Sequence, residues 1–241
     1  MAAARRAWRR TQRRLDPRQL VFIDETAVAT NMVRRYGWAP RGQRLVCKVP
    51  FGAWTTLTFI AALRHDRITA PLLLQGAMNG QILRAYAEQM LAPTLKPGDV
   101  VIMDNVRVHK VAGVSEAIEA RGATVPSFPA YSPDLNPIEL AFSKLKARLR
   151  ASTARSTPRL LTAVRAALTR FSPRECTAYL AHAGYRSNLI ENGSKTRSFN
   201  THGHDQSCHR RYPILSGQFP SGKAHLMCHA LGIMSSILRG N

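Results

Sequence analysis

The chain has 241 residues, of which 45% are hydrophobic, so it is long enough to bury one sizeable core. Its net charge of +21, from 35 Lys and Arg against 14 Asp and Glu, predicts a polyanionic partner such as nucleic acid, although a merely basic protein would share this composition. No apolar run approaches the roughly 20 residues that span a bilayer, so we expect no membrane segment. The start of the chain lacks the apolar stretch of a signal peptide, and the four cysteines form no C-x-x-C pair. We therefore expect a cytoplasmic protein without a disulfide framework.

Residues 1–19 are predicted to form a basic linker helix. Its arginines recur every four residues in two rows, which are Arg5, Arg9 and Arg13, and Arg6, Arg10 and Arg14. Like charges at this spacing weaken an isolated helix by roughly 0.2–0.5 kcal/mol per pair. Two interpretations stay open: phosphates neutralise the two rows, or the segment is a solvated linker.

The stretch that follows contains three apolar segments typical of strands. "LVFID" (Leu20–Asp24) is a short apolar run that ends in an acid, and "WTTLTFIAAL" (Trp54–Leu63) is rich in β-branched and aromatic residues. "ITAPLLL" is predicted to be a third strand, at an edge of the sheet because Pro71 has no backbone N–H to donate. The spacing of apolar residues over Asn79–Leu91 then predicts an amphipathic helix.

Between the first two strands, "GWAPRGQR" (Gly37–Arg44) has two interpretations. It is either a DNA-contacting turn, with Trp38 stacked on a base and Arg41 and Arg44 on phosphates, or a hairpin with a packed tryptophan. We expect Trp38 to pack, and we retain Arg41 and Arg44 as candidate DNA contacts.

The second half of the domain alternates strands and helices. "VVIM" (Val100–Met103) is apolar throughout, as in a strand buried on both faces. "VHKVAGVSEAIEARG" predicts a helix that stops at Gly122, and "ATVPSF" predicts the next strand. Helices are then predicted from Pro137 to Arg150, from Pro158 to Phe171 and after "SPRE". This order of elements predicts an α/β domain with helices on the faces of a central sheet.

Residues 187–241 have a different composition. They concentrate Ser, Gly, Asn and five of the eight histidines without sustained periodicity, so we expect an atypical, poorly ordered tail. Cys208-His209 and Cys228-His229 offer potential zinc ligands, but adjacent Cys-His pairs are poor chelators and we expect no zinc site.

Three acidic residues are candidates for one site. Asp24 closes the first strand, Asp104 closes "VVIMD", and Glu139 lies in the first turn of the helix after "SPDLNP". Because the ends of strands present site residues in α/β sheets, we expect the three carboxylates to converge. Carboxylates in so basic a chain favour Mg²⁺, and a pair of ions about 3.5–4 Å apart suits phosphoryl transfer on DNA. Taken singly, each aspartate is also explained as a turn cap and the glutamate by the helix dipole.

Neighbouring polar residues are assigned separately. Glu25 is expected on the opposite face of the strand from Asp24, and Asp134 is expected to serve the turn that contains it. Asn105 and His109 are candidates for orienting a water of the metal or contacting phosphate, and a structural role explains His109 equally well.

Four motifs in order, "VFIDET", "GWAPRGQRL", "VIMDN…HK" and "YSPDLNPIELAFSKLKARLR", closely resemble the bacterial insertion-sequence transposases of the mariner-like DDE superfamily, over about Arg13 to Tyr185. The resemblance implies a ribonuclease H-like fold over residues 20–186, with a mixed central sheet flanked by helices. It also implies that Asp24, Asp104 and Glu139 are the catalytic residues and hold two Mg²⁺ ions, for which Mn²⁺ substitutes.

The resemblance further implies metal-dependent cleavage and strand transfer on double-stranded DNA, at the ends of a mobile element and at its target. A homodimer on the DNA and a nucleoid-associated location in the bacterial cytoplasm follow from the same resemblance. The candidate DNA contacts in the matched motifs, besides the two arginines above, are Lys110, Lys144, Lys146 and Arg148.

The chain also departs from the family pattern. Such transposases usually begin with a helix-turn-helix region that reads the element's ends, and this chain starts after the point where that region ends, so we expect a catalytic-domain fragment. Two further functions stay open: a ribonuclease H-like nuclease without strand transfer, and a catalytically defective DNA-binding fragment.

Overall fold

The computed structural model of the protein describes residues 2–34, 36–46, 49, 51–104 and 113–186, and the backbone of residues 229–230. The strands of its sheet are β1 (Leu20–Ala29), β2 (Thr56–Leu63), β3 (Ile68–Gln75), β4 (Val100–Met103) and the two-residue β5 (His229–Ala230). They lie in the order β4-β1-β2-β3-β5. Only the β1–β4 pair is parallel, so the sheet is mixed, as the sequence predicts.

Helices cover both faces of this sheet in the described part of the chain. They are α1 (Ala2–Gln12), α2 (Gly80–Tyr86, continued by a π-helical turn over Ala87–Leu91), α3 (Val114–Glu119), α4 (Ile138–Ser152), α5 (Thr157–Leu168) and α6 (Pro173–His182). None of the described helices is long and apolar enough to cross a membrane.

The central position of β1 follows from its sequence. Leu20 and Phe22 belong to one hydrophobic core, whereas Val21 and Ile23 belong to a second core on the other face. Side chains alternate between the faces of a strand, so a run that is apolar at every position is buried on both sides. The first core also contains the residues of α4, α5 and α6, and the second contains those of α2 and α3.

The expectation that the first strand ends at Asp24 is wrong. β1 continues to Ala29 and pairs with β2 along its length, with Asp24 opposite Ala61. Thr26 and Val28 are β-branched and extend the strand beyond the acid. The parallel partner β4 does stop here, because Ile23 opposite Met103 is its last pair.

The third strand shows the irregularity expected of its proline. The pairing of β2 with β3 shifts register between Ile60 and Ala62, and Ala70, next to Pro71, has a φ of 47°. A bulge accommodates a residue that cannot donate to the ladder. On its outer side, β3 pairs with β5 only at Leu72 and Leu73, so β3 is the outermost of the four longer strands described.

Two elements differ from the prediction. "ATVPSF" forms a single bridge, between Thr124 and Val100, because the proline at position 126 interrupts further donation. The helix predicted before Gly122 is described only as the short α3, since residues 105–112 lie outside the described residues. Apart from β5, the predicted tail over residues 187–241 also lies outside them.

The segment after β1 is exposed. Residues 36–46 form no strand, and the side chain of Trp38 is 100% exposed. The expectation that Trp38 packs in a hairpin is therefore wrong. Its packing was inferred from residue type alone, and no residue in the described part of this segment covers the indole.

Helix α1 is packed against the domain, so the solvated-linker interpretation is wrong for its inner face. Trp8 is 6% exposed and meets the ring of Phe128 edge-on at 5.1 Å. Its Nε1 donates to the hydroxyl of Tyr185 at 3.0 Å, and Gln12 Nε2 donates to the carbonyl of Ala183 at 2.5 Å. Residues from the two ends of the domain thus meet beside α4.

A buried ion pair fixes the approach to β4. Arg64 follows β2 and pairs with Asp99, which precedes β4. The two side chains are 6% and 5% exposed, respectively. Arg64 also donates to the carbonyl of Thr94, and Asp99 accepts from the backbone N–H of Lys96. Since both Asp99 carboxylate oxygens and both terminal nitrogens of Arg64 have partners, the pair can hold the turn before β4 in one position.

Comparing two tryptophans tests the packing of α1. We expect Trp8→Ala to lower the free energy of unfolding by about 3 kcal/mol or more, because it removes buried area and leaves a cavity. Trp38→Ala should change it by less than about 0.5 kcal/mol. Urea denaturation followed by circular dichroism measures both, and equal effects would show that α1 is not docked in solution.

Candidate active site

Asp24 enters the site from the central strand. Its Oδ1 accepts a hydrogen bond from the backbone N–H of Glu25 at 2.8 Å, and its Oδ2 accepts one from Asn136 Nδ2 at 3.0 Å. Both oxygens are therefore oriented by fixed donors. Each oxygen has a second lone pair that can still accept a ligand.

Asp104 follows the parallel neighbour of β1. Because Ile23 and Met103 are opposite each other, Asp24 and Asp104 come next on adjacent strands. The parallel register therefore brings the two aspartates to the same level of the sheet edge. This is the placement expected from their sequence positions, although β1 itself runs on.

Glu139 reaches the site from a turn and a helix. The residues Pro133–Leu135 form one 3₁₀ turn, Asn136 ends it, and α4 begins after Pro137. The backbone N–H of Glu139 donates to the carbonyl of Asn136 at 3.3 Å, which closes the first helical turn. Proline fits the residue before the helix because it has no N–H to leave unsatisfied.

Contacts from the two ends of the domain hold this turn in place. Arg5 donates two hydrogen bonds to the carboxylate of Asp134, at 2.8 and 2.7 Å. The hydroxyl of Tyr185, which accepts from Trp8, donates to the carbonyl of Leu135 at 2.9 Å. Helix α1 and the end of α6 thereby fix the backbone on which Glu139 is carried.

The three acids line one cavity of about 360 Å³. A second cavity, of about 560 Å³, lies between α1 and the start of α4. Asn136 and Glu139 line both cavities, so they separate the two spaces. We call them the acid cavity and the α1 cavity.

Burial and like charge dominate the electrostatics of Asp24. The pKa of Asp24 is raised to about 7: burial is the largest cause, the hydrogen bond from the Glu25 N–H opposes it, and the carboxylates of Glu139, Glu25 and Asp104 add to the rise. Among the described residues, no lysine or arginine forms an ion pair with Asp24. Within the described residues, the charge of the Asp24 carboxylate is therefore not balanced by a paired cation.

The described acids do not meet at one point. Within residues 2–104 and 113–186, apart from the gaps given above, no three His, Cys, Asp or Glu side chains are close enough to hold one ion together. Asp24, Asp104 and Glu139 therefore share a cavity without forming a closed three-ligand centre. Asn105, His109 and Lys110 lie outside the described residues.

The predicted DNA contacts on α4 separate by face. Lys146 follows Glu139 by seven residues and Arg148 follows it by nine. At about 3.6 residues per turn, Lys146 lies on the same face as Glu139 and Arg148 lies on the opposite one. Arg41 and Arg44 are both exposed in the segment after β1.

Lys144 is engaged inside the domain. Its ammonium pairs with Glu175, donates to the carbonyl of Arg170 at 2.7 Å and lies 4.5 Å from the centre of the Phe171 ring. The sequence offered no sign of this, because the partners are on α6 and the loop before it. Because its ammonium is occupied by these partners, Lys144 is not positioned for the expected phosphate contact.

Sequence reasoning also missed the residues that support the site. The sequence pattern predicts Asn136 only as part of the turn, and it predicts no contact between the segment that carries Glu139 and Arg5, Trp8 or Tyr185. The buried polar position of Asn136, 6% exposed, is visible only in three dimensions. Its place three residues before Glu139 was the one available signal.

A family model and several solved structures match this chain. Residues 19–161 match the family model described as DDE superfamily endonuclease, which is more than half of the chain. No curated protein sequence matches the chain.

Solved structures with the same fold include several of Mos1 transposase. The paired-end complex with the left transposon end has a TM-score of 0.59 and 16% identity, over 75% of this chain and 56% of that chain. The Mos1 mariner paired end complex with Mn has a TM-score of 0.58 and 15% identity, over 75% and 57%. The catalytic domain of Mos1 mariner transposase has a TM-score of 0.52 and 13% identity, over 75% and 84%.

These matches confirm the predicted ribonuclease H-like fold. The chain spans little more than half the length of the first Mos1 chains that it matches. It covers 84% of the separate catalytic domain.

The raised pKa of Asp24 predicts a pH-dependent stability. Between about pH 4 and 7 the folded protein retains a proton that the unfolded chain releases, so the free energy of unfolding falls as pH rises. In EDTA, the free energy of unfolding of wild type should fall by about 2–3 kcal/mol relative to that of Asp24→Asn as the pH rises from 5 to 8. Urea denaturation at each pH measures the difference.

Asp134 provides the control. Arg5 lowers the pKa of Asp134, so its contribution to stability is lost only as pH falls through the acidic range. The difference in the free energy of unfolding between wild type and Asp134→Asn should therefore stay constant from pH 5 to pH 8. A pH-independent difference for Asp24→Asn as well would contradict its raised pKa.

Proposed function

The chain belongs to the family of DDE superfamily endonucleases, and from this premise we propose that it is the catalytic domain of an insertion-sequence transposase that cleaves DNA and transfers the cleaved strand. Asp24, Asp104 and Glu139 are its proposed catalytic residues. One observation carries the proposal: three carboxylates from β1, β4 and α4 line a single cavity in a chain with a net charge of +21.

The residues around the acid cavity suit divalent metal ions. Asp24 is partly buried, has no cationic partner among the described residues, and has free lone pairs beside two oriented hydrogen bonds. Hard cations with oxygen ligands, such as Mg²⁺ and Mn²⁺, fit this donor set. Related solved structures are Mos1 mariner complexes with Mn and with Mg.

We assign two ions to the site, Mg²⁺ in the cell with Mn²⁺ as a substitute. When bound, such a pair activates the attacking oxygen and stabilises the leaving one. A pair of ions does not require all three carboxylates at one ion, which agrees with the open arrangement of the described acids. Asp24 and Asp104 are adjacent across the sheet and Glu139 faces them from α4.

The chain's own residues position the DNA for two successive reactions. In the first, water adds to the phosphorus at the element's end, the P–O3′ bond breaks and a 3′-hydroxyl is released. In the second, that hydroxyl attacks a target phosphodiester, a new P–O bond forms and the target's 3′-oxygen leaves with a proton. The protein forms no covalent intermediate, so positioning and charge supply the catalysis.

Basic residues extend from the acid cavity along two paths. Lys146, with Arg150 one turn further on, lies on the face of α4 that carries Glu139. Arg9 and Arg13 line the α1 cavity next to Glu139. We propose that these residues contact the phosphates of double-stranded DNA, together with the exposed Arg41 and Arg44. Two of the predicted contacts are not among them: Lys144 pairs with Glu175, and Arg148 lies on the face of α4 opposite Glu139.

The assembly and location follow the same proposal. Mos1 structures are paired-end complexes with DNA, and we propose that this chain acts as a homodimer on two element ends and a target. Its place of action would be the nucleoid in the bacterial cytoplasm.

A nicking assay tests the proposed chemistry. We expect the purified chain to nick supercoiled plasmid at low salt with Mg²⁺ or Mn²⁺ but not with EDTA, and Asp104→Ala to reduce the rate by more than about 100-fold, because it removes a metal ligand. Glu119→Gln, an exposed acid on α3, should nick like wild type. Equal nicking by Asp104→Ala and wild type would overturn the assignment.

The same preparation separates transfer from hydrolysis. A duplex that ends in a free 3′-hydroxyl should become joined to the plasmid, and the joined product should be absent with Asp104→Ala. Nicking without joining would instead favour a ribonuclease H-like nuclease, and DNA binding without either product would favour the catalytically defective fragment.

Two cations on α4 test the proposed DNA path. We expect Lys146→Gln to weaken binding to a duplex and to lower the slope of log affinity against log salt by about 1, because one phosphate contact is lost. Arg148→Gln removes the same charge from the opposite face and should leave the slope unchanged. Fluorescence anisotropy over a range of salt concentrations measures both, and equal slopes for the two variants would contradict the path.

A further inference from the structure

Asn136 is the point at which two catalytic acids are connected. Its side-chain Nδ2 donates to Asp24 Oδ2 at 3.0 Å, and its backbone carbonyl accepts from the N–H of Glu139 at 3.3 Å. One residue thereby contacts an acid on the central strand through its amide and an acid on α4 through its backbone. A change in its position would alter the relation between the two carboxylates.

The amide of Asn136 is not used to build its own turn. Its only side-chain hydrogen bond among the described residues goes to Asp24, and none goes to the turn's backbone, as an Asx turn would require. The turn is instead held by the bonds from Arg5 to Asp134 and from Tyr185 to Leu135. The buried amide therefore has a role other than stabilising the turn.

The other end of the amide has no partner. Asn136 is 6% exposed, and its Oδ1 is buried without a hydrogen bond in the described structure. Leaving a buried acceptor unsatisfied costs free energy, and such a group in a native protein needs an explanation. The orientation of the amide is set by chemistry, because only the NH₂ group can donate to Asp24 when that carboxylate is ionised.

The surroundings of Asn136 indicate what satisfies this oxygen. The residue lines both the acid cavity and the α1 cavity, and its nearest functional neighbours, Asp24 and Glu139, are acceptors when ionised. None of the described residues supplies the missing donor, and water that accompanies a hydrated divalent cation in the cavity is a donor of the right size.

We propose that Asn136 is a positioning residue for the metal site: its NH₂ group holds the Asp24 carboxylate in the orientation that binds the ion, and its Oδ1 accepts a hydrogen bond from water in the acid cavity. The proposal rests on the proposed function, since it needs the acids to bind a divalent ion. Groups that orient metal ligands commonly change metal affinity by about 10–100-fold when they are removed.

Manganese binding tests this role without measuring activity. Mn²⁺ is titrated into the protein, and electron paramagnetic resonance measures the concentration of free Mn²⁺. The proteins compared are wild type, Asn136→Ala, Asp104→Ala and Ser132→Ala. Ser132 is the matched control, because it is a buried polar residue of the same turn, 4% exposed, whose hydroxyl bonds to the carbonyl of Ala130 instead of to an acid. Circular dichroism in EDTA shows that each variant is folded.

We expect Asn136→Ala to raise the Mn²⁺ dissociation constant by about 10–100-fold and Ser132→Ala to leave it unchanged. If Asn136→Ala does not fold, Asn136→Ser, which keeps a short polar group, is measured in its place with the same expectation. The midpoint of thermal unfolding gives a second readout, since Mn²⁺ should raise it much less in Asn136→Ala than in wild type.

The outcomes separate the two proposals. If Asp104→Ala weakens Mn²⁺ binding but Asn136→Ala binds as tightly as wild type, Asn136 is only structural and the proposed function stands. If Asn136→Ala and Ser132→Ala weaken binding equally, the effect belongs to the turn and the positioning role is wrong. If wild type binds Mn²⁺ no better than Asp104→Ala, the metal site of the proposed function fails, and the role of Asn136 fails with it.

Discussion

The burial of the Asp24 carboxylate in the central strand is the constraint on which the site depends. Burial and three neighbouring carboxylates disfavour its charge, whereas the N–H of Glu25 and the amide of Asn136 donate to it, the two hydrogen bonds it has within the described residues. A buried carboxylate without a cation is costly. The surrounding structure must offset that cost, through cores on both faces of β1 and through fixed donors at its edge. The same carboxylate is central to the metal site proposed above.

The fixed donors at that edge depend on distant parts of the chain. Asn136 is held by a turn, the turn is held by Arg5 and Tyr185, and Tyr185 is held by Trp8. The glycine at position 184 has a φ of 95°, and an added Cβ would come within 2.8 Å of the Gln12 amide. The backbone there is thus shaped for the close approach of α1. Helix α1 therefore supports the acids, in addition to the phosphate contacts proposed for its arginines.

Much of this arrangement could be predicted from local patterns. Alternating and continuous apolar runs identified β1, β2 and β4, and the end of the apolar run in β1 marked Asp24 even though the strand itself continues to Ala29. Trp38 shows where such reasoning stops, because residue type predicts burial only when something is present to cover the side chain. Lys144 and Asn136 show the same limit for polar groups. Their partners, Glu175 and Asp24, are far away in the sequence, and only the folded chain decides whether a cation or an amide points inward.

The hydrogen bond between Trp8 and Tyr185 also affects when the acid cavity can form. The two residues are 177 positions apart, so the contact closes a loop that includes almost the whole domain. During synthesis the N-terminal parts of a chain emerge first, and α1 has no Tyr185 to bind until α6 has left the ribosome. The turn that carries Glu139 is therefore secured in the last stage of folding. An unfinished polypeptide would have both aspartates but no fixed glutamate, so the acid cavity would be completed only after the whole domain has been synthesised.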